Sequence, residues 1–236
     1  MRKYFLLVFC IFIFSSVTSF ANERTENNGN LILKNIPIIP ENIKADLTQY
    51  QNVRSAPFRG FNNEGNEIFI TTRFGNVSQL HRVRKQGGAR EQITFFEEPI
   101  GSISRKPGDQ LIAFTMDAGG TENNQIFVLD PKNGSSQMLS DGRSRNGGPL
   151  WEKNGSRIAY QSTRRNGQSN DIWMMDSKNL DSAEMILESP DGTWWGPSDW
   201  SKDGKKILIQ NYISITNAKA YLLDIESKKK EMILGS

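Results

Sequence analysis

The apolar positions of this chain fall into short runs that alternate with polar turns, and the turns carry most of the register. Turn glycines stand at Gly65, Gly108, Gly155 and Gly204, spaced 43, 47 and 49 residues apart. An apolar run follows each one: Ile68-Phe69-Ile70, Ile112-Ala113-Phe114, Ile158-Ala159-Tyr160 and Ile207-Leu208-Ile209. A second run follows in every repeat: Gln79 to Val83, Gln125 to Leu129, Asp171 to Asp176, and Tyr221-Leu222-Leu223. β-Branched and aromatic runs joined through turn dipeptides are the signature of antiparallel hairpins. Each unit also offers a short innermost strand, near Phe58, Ser102-Ile103, Leu150-Trp151 and Asp199-Trp200. An outer strand completes it at Glu91–Thr94, Gln137–Ser140, Glu184–Leu187 and Glu231–Leu234. A repeat of 40 to 50 residues made only of short strands predicts an all-β fold, a β-propeller of four-stranded antiparallel blades.

Four blades are recognisable, at about 55–94, 100–140, 148–188 and 197–234, within a propeller region of 55–236. Propellers close with 4–8 blades. Spacing does not decide between a four-blade ring and part of a larger one, and the stop directly after the last outer strand reads as a truncated, larger ring. Phe61, Trp151 and Trp200 each stand four residues before their turn glycine, which predicts that all three rings pack between neighbouring blades. Ahead of the blades lies an N-terminal extension, 22–54. Its polar start through Asn30 is expected to be mobile, Leu31 to Ile39 extended, and Pro40 to Asn52 at most a short helical turn.

Composition changes this picture little. The chain has 236 residues, 36% hydrophobic and 23% charged, which fits a globular protein. Its first residues change the picture more. Met1-Arg2-Lys3, an apolar run from Tyr4 to Phe14, and Ser19-Phe20-Ala21 form a signal-peptide pattern over 1–21, with cleavage near Ala21. That implies export to the periplasm or outside the cell, with membrane contact only if the segment stays uncleaved. Cys10, the single cysteine, lies inside it, so the processed chain holds no disulfide. Cleavage also removes two cations and leaves 27 basic residues against 26 acidic ones, which gives no electrostatic basis for nucleic-acid binding.

Trp151-Glu152-Lys153-Asn154-Gly155 and Trp200-Ser201-Lys202-Asp203-Gly204, each followed by an apolar strand, resemble the repeat of TolB-like propellers. Thr72 to Asn76, Gln79 to Val83, Gly87 to Arg90, Gln92 to Phe96, Asp141 to Gly147 and Ser162 to Gly167 together resemble the N-terminal propeller of exported peptidases of the prolyl oligopeptidase family. The resemblance covers the chain from about Ile36 onward. It implies a propeller that gates peptide access to an α/β-hydrolase domain carrying Ser, Asp and His, a domain this chain lacks. The partners so implied are that domain and a peptide substrate. The alternative is a self-standing periplasmic TolB-like scaffold for a protein partner.

No catalytic residue stands out. There is no Gly-x-Ser-x-Gly elbow; Gly142-Arg143-Ser144-Arg145-Asn146 lacks the last glycine, and His81 falls inside a strand, aligned with Phe127, Trp173 and Tyr221. No metal-ligand spacing and no phosphate-binding loop is present, so neither metal nor cofactor is expected. Lys228-Lys229-Lys230 reads as a solvated turn. What remains is one propeller face. Loops between second and third strands share it with the links between blades, so Arg73, Arg143, Arg145, Arg164, Arg165, Trp194 and Trp195 are expected there as loop residues of an interaction surface.

Overall fold

The computed structural model describes residues 23–190 and 192–235. The signal-peptide pattern and its cleavage point lie outside these residues. The described chain divides into two compact units, one ending at Asp46 and one beginning at Leu47.

The first unit corrects an expectation. Residues 23–30 do not trail as a polar tail: β1 (Glu23–Glu26) pairs antiparallel with β2 (Leu31–Lys34), from Glu23 opposite Lys34 to Glu26 opposite Leu31. Asn27, Asn28 and Gly29 take positive φ values between them, a conformation that Asn and Gly reach most easily, and this closes the hairpin. The expected short turn after Pro40 is an eleven-residue helix, α1 (Glu41–Gln51), that runs into the second unit. Proline ahead of a first-turn glutamate is a helix-start arrangement, and the Pro40 carbonyl accepts the Lys44 amide at 3.1 Å.

In the second unit the repeat becomes four four-stranded antiparallel meanders. They are β3 (Phe58–Phe61) to β6 (Glu91–Gln92), with β4 at Ile68–Thr72 and β5 at Gln79–Val83; β7 (Ile100–Arg105) to β10 (Ser136–Met138), with β8 at Ile112–Met116 and β9 at Gln125–Leu129; β11 (Asn146–Trp151) to β14 (Asn179–Leu187), with β12 at Arg157–Ser162 and β13 at Asp171–Asp176; and β15 (Trp194–Trp200) to β18 (Lys230–Leu234), with β16 at Lys206–Ser214 and β17 at Asn217–Asp224. Every first strand carries a register shift: Phe58/Gly60, Ile100/Ile103, Gly147/Leu150 and Pro197/Asp199. A bulge at the same place in each blade bends its first strand the same way.

A sheet with two apolar faces must cover both, and here one blade covers the next. Three separate cores result. The first joins Phe69 and Leu80 of blade one to Ile112, Phe114 and Leu129 of blade two. The second joins Ala113 and Ile126 to Trp151, Ile158 and Tyr160 of blade three. The third joins Ala159, Ile172 and Met174 to Trp200, Ile207 and Leu223 of blade four. Period-two alternation generates this pattern, since neighbours along a strand point to opposite faces. Trp151 and Trp200 fill two of these interfaces, at 4% and 3% exposed. Phe61 does not: it is 51% exposed, because no preceding blade in the described chain meets its side of β4.

Candidate interaction face

Strands in a meander alternate in direction, so the loop from second to third strand emerges beside the link to the next blade. The third strands of blades one to three each start with a polar residue, Gln79, Gln125 or Asp171, and each is buried. These three side chains fasten the links. Gln79 Nε2 donates to the carbonyls of Phe96 and Glu98, both at 3.0 Å, and its Oε1 accepts the Phe96 amide at 3.1 Å. Gln125 Nε2 donates to Ser144 O at 2.8 Å, while its Oε1 accepts from Ser140 Oγ at 2.7 Å and the Gly142 amide at 2.9 Å. Asp171 accepts the Ser189 amide at 2.8 Å. Burying these amides and the carboxylate requires such full pairing. The clamps escape sequence reading because Gln at a strand start looks like an ordinary polar position; its recurrence at one repeat position is the signal that was there.

The seven residues expected on this face separate into three groups. Arg165 and Arg73 are used internally. Arg165 forks onto the fully buried Asp171, with Nε to Oδ2 at 2.8 Å and Nη2 to Oδ1 at 3.0 Å, and also pairs with Glu188 at 3.0 Å. Arg73 Nη2 donates to the Gln51 carbonyl near the end of α1. The tryptophans are not loop residues but open β15. Trp195 is 2% exposed inside the core between blades three and four, its ring 5.3 Å from that of Tyr221 and 4.5 Å beneath Lys230 Nζ. Lys230 is exposed, as expected of its run, but it opens β18 rather than lying in the turn, and its ammonium sits over the two aromatic rings, a contact favourable to a cation. Continued pairing with β16 down to Tyr212 is what draws the Trp pair into the sheet.

Arg143, Arg145, Arg164 and Trp194 stay exposed. Asp141 shapes the loop that holds the first two: its Oδ1 accepts the amides of Arg143 at 3.1 Å and Ser144 at 3.0 Å, and its Oδ2 accepts Ser144 Oγ at 2.6 Å. Burial works to raise the pKa of this carboxyl, but those bonds, with the Arg164 charge, outweigh it and hold the group below its ordinary value. Arg164 lies 5.3 Å over the Trp173 ring. It also faces Tyr160, whose phenol burial pushes up to about 12. Arg145 is anchored through its backbone, its amide donating to Thr163 Oγ1 at 3.1 Å.

One feature of this face lies in no motif. The second and third strands of blade four run for nine and eight residues, against five or six in the other blades, and end in a two-residue turn. This arm exposes Tyr212, Ile213 and Ile215 beside Trp194, which stands opposite Tyr212. Among the described residues no group of three or more His, Cys, Asp or Glu side chains gathers as a metal site. His81 is fully buried, its Nδ1 3.0 Å from Gln79 O and its ring edge-on to Phe74, so it meets no serine hydroxyl.

Residues 99–234 match the family model described as prolyl oligopeptidase, N-terminal beta-propeller domain. The chain belongs to this family. The matched segment spans blades two to four of the propeller. Solved structures agree in fold. A prolyl endopeptidase superposes with a TM-score of 0.65 at 13% identity, over 83% of this chain and 32% of that one. The Agrobacterium tumefaciens protein assigned as a TolB gives 0.62 at 16% identity, over 91% of this chain and 80% of that one. TolB of Acinetobacter baumannii gives 0.60 at 18%, over 91% and 48%. The propeller therefore spans about a third of the prolyl endopeptidase and half of the A. baumannii protein. No curated protein sequence matches the chain.

Proposed function

We propose that this propeller screens peptide access to an α/β-hydrolase domain of the prolyl oligopeptidase type, and that the loop face carrying Arg143, Arg145, Arg164 and Trp194 is where domain or peptide meets it. The observation that carries the reading is the division of labour among the arginines. Arg73 and Arg165 are spent on the fold, whereas Arg143 and Arg145 stand exposed on a loop that Asp141 and Gln125 hold rigid. Exposed arginine and tryptophan on a rigid scaffold suit recognition. The matched prolyl endopeptidases are described in terms of inter-domain dynamics in catalysis and specificity, a role a propeller face of this kind can serve. The test is titration of the chain against a family hydrolase domain and against peptides. Arg143→Ala, Arg145→Ala and Arg164→Ala together should weaken binding at least tenfold, while Arg73→Ala should act only through stability. Unchanged binding in the triple variant would count against it.

A TolB-like scaffold is the second reading, favoured by the extent of the A. tumefaciens match at both chains' level. On either reading the protein is exported, as the Met1–Ala21 pattern supports; N-terminal mass analysis of exported material should find a chain beginning at Asn22.

A further inference from the structure

Two loops of the interaction face, 142–147 and 162–168, hold four arginines and no aspartate or glutamate. Asp171 and Glu188 pair with Arg165, whereas among the described residues the guanidinium groups of Arg143, Arg145 and Arg164 form no ion pair. Asp141 stands beside them and its charge interacts with that of Arg164. Its oxygens, however, are taken by the Arg143 and Ser144 amides and the Ser144 hydroxyl. The groups that hold Arg164 give it no anion either. Its guanidinium lies over the Trp173 ring, whose own Nε1 donor is buried with no acceptor among the described residues. Burial pushes the neighbouring Tyr160 phenol up to about 12, so that group stays neutral near pH 7.

The backbone ties the three cations into one patch. The Arg145 amide donates to Thr163 Oγ1 at 3.1 Å, and the Thr163 amide donates to the Arg145 carbonyl at 3.0 Å. Arg143 and Arg145 are two residues apart on one side of this join, and Arg164 follows Thr163 on the other. Both loops are also fixed from within. Gly167 donates its amide to Thr163 O at 2.7 Å, and Asn166 Oδ1 accepts the Gln168 and Ser169 amides at 3.0 and 2.8 Å. A fixed loop loses little freedom when a ligand arrives. The cations are all arginine, whose planar fork matches the two oxygens of a carboxylate where a lysine offers only a point charge.

We infer that this patch binds peptide carboxylates, so that the face admits acidic peptides in preference to neutral or basic ones. This rests on the screening role proposed above and names the substrate class for it. Charge complementarity is the ground: three cations without an anion repel a basic peptide and give a neutral one no charged partner. An acidic side chain and a free C-terminus present the same group, and the two are separable by experiment.

Fluorescence anisotropy of labelled peptides titrated with the 236-residue chain is the test. The peptides are Gly-Glu-Gly-Glu-Gly capped at both ends, its Gln and Lys counterparts, and the Gln peptide with a free C-terminus. The capped Glu peptide, the free-ended one, or both should bind about tenfold more tightly than the capped Gln peptide, and the Lys peptide should bind most weakly. Whichever peptide gains identifies the source of the carboxylate. Raising salt from about 0.05 M to about 0.5 M should remove most of the preference. Arg143→Gln, Arg145→Gln and Arg164→Gln together should abolish it, and Arg73→Ala should keep it. Should the triple variant not fold, amide shifts of the wild type decide instead: the favoured peptide must move residues 143–145 and 163–165 and leave β3 unmoved. Equal binding of the capped Glu, free-ended and capped Gln peptides overturns the inference, as does a preference that survives the triple substitution or shifts confined to other loops. If a family hydrolase domain or the neutral peptide still binds through the three arginines while carboxylates add nothing, the screening role stands and this inference alone falls. Binding of neither peptides nor hydrolase domain overturns both.

Discussion

The indole Nε1 of Trp200 donates to the carbonyl oxygen of Leu150, one blade back, at 3.1 Å. Trp151 does the same one blade earlier, to Ser104 at 3.1 Å. Leu150 and Ser104 occupy matching positions, opposite Ala159 and Ala113 in their own sheets, so the bond repeats with the fold. A cation stacks on each ring: Arg157 lies 5.0 Å over Trp200 and Lys106 5.4 Å over Trp151. Trp200→Phe keeps most of the buried surface but strands the Leu150 carbonyl. It should lower stability by about 1–3 kcal/mol, and Trp200→Ala by about 3–5 kcal/mol. Urea denaturation of both variants checks the order.

Arg165 and Asp171 hold the link between blades three and four. Asp171 is fully buried and Arg165 reaches it from the exposed side, so Arg165→Ala leaves that carboxylate with the Ser189 amide but no cation and should lower the melting temperature. Arg164→Ala, one residue away and exposed, should cost under about 1 kcal/mol. Thermal melts of the two variants side by side separate the roles that adjacent arginines take.

Gly204 illustrates a second constraint. Its φ is +70°, and a Cβ there would fall on the Glu152 carboxylate, which Arg157 and Ser156 hold in place. Gly65 has a φ of +73° with open space around it. Left-handed strain alone costs about 1–2 kcal/mol for a residue with a Cβ. Gly65→Ala should show that loss and no more, and Gly204→Ala a larger one, read from denaturation midpoints.

Acid should weaken the fold in two stages. Burial lowers the His81 pKa below 6.5, against the raising effect of its bond to Gln79 O, and the Arg90 charge lowers it further. Between the lowered value and 6.5 the unfolded chain binds more protons, so stability rises with pH through that window and is complete above it. Glu152 follows the carboxylate pattern: the Arg157 hydrogen bond holds its pKa below 4.5, and the stability this gives is lost as pH falls below that value. His81→Phe matches the aromatics at equivalent positions and should flatten the melting-temperature profile just below about pH 6.5, leaving the steeper loss at lower pH.

The blades were legible because alternation and turn glycines repeat four times, and a shift of one residue would turn Ile158 or Ile207 out of the core. Features that occur once were not. Residues 23–26 form a strand only because Leu31–Lys34 is there to pair with them, a tertiary fact that polar composition hides. Trp195 looks like a loop residue beside Gly192 until β16 is seen to continue to Tyr212 and beyond. Arg164 and Arg165 are indistinguishable as letters; the buried acid at Asp171 decides between them, six residues on and across a loop. Phe61 shares its repeat position with Trp151 and Trp200, and differs only in having no blade behind it among the described residues.

Stacking of consecutive blades is the claim on which the rest stands, and indole hydrogen exchange reads it directly. In ¹⁵N-labelled protein the Nε1 protons of Trp151 and Trp200 should be strongly protected, held by carbonyls of the preceding blade, while that of Trp194, on a ring 37% exposed, exchanges fast. Equal, rapid exchange at all three would mean that the blades do not pack as described.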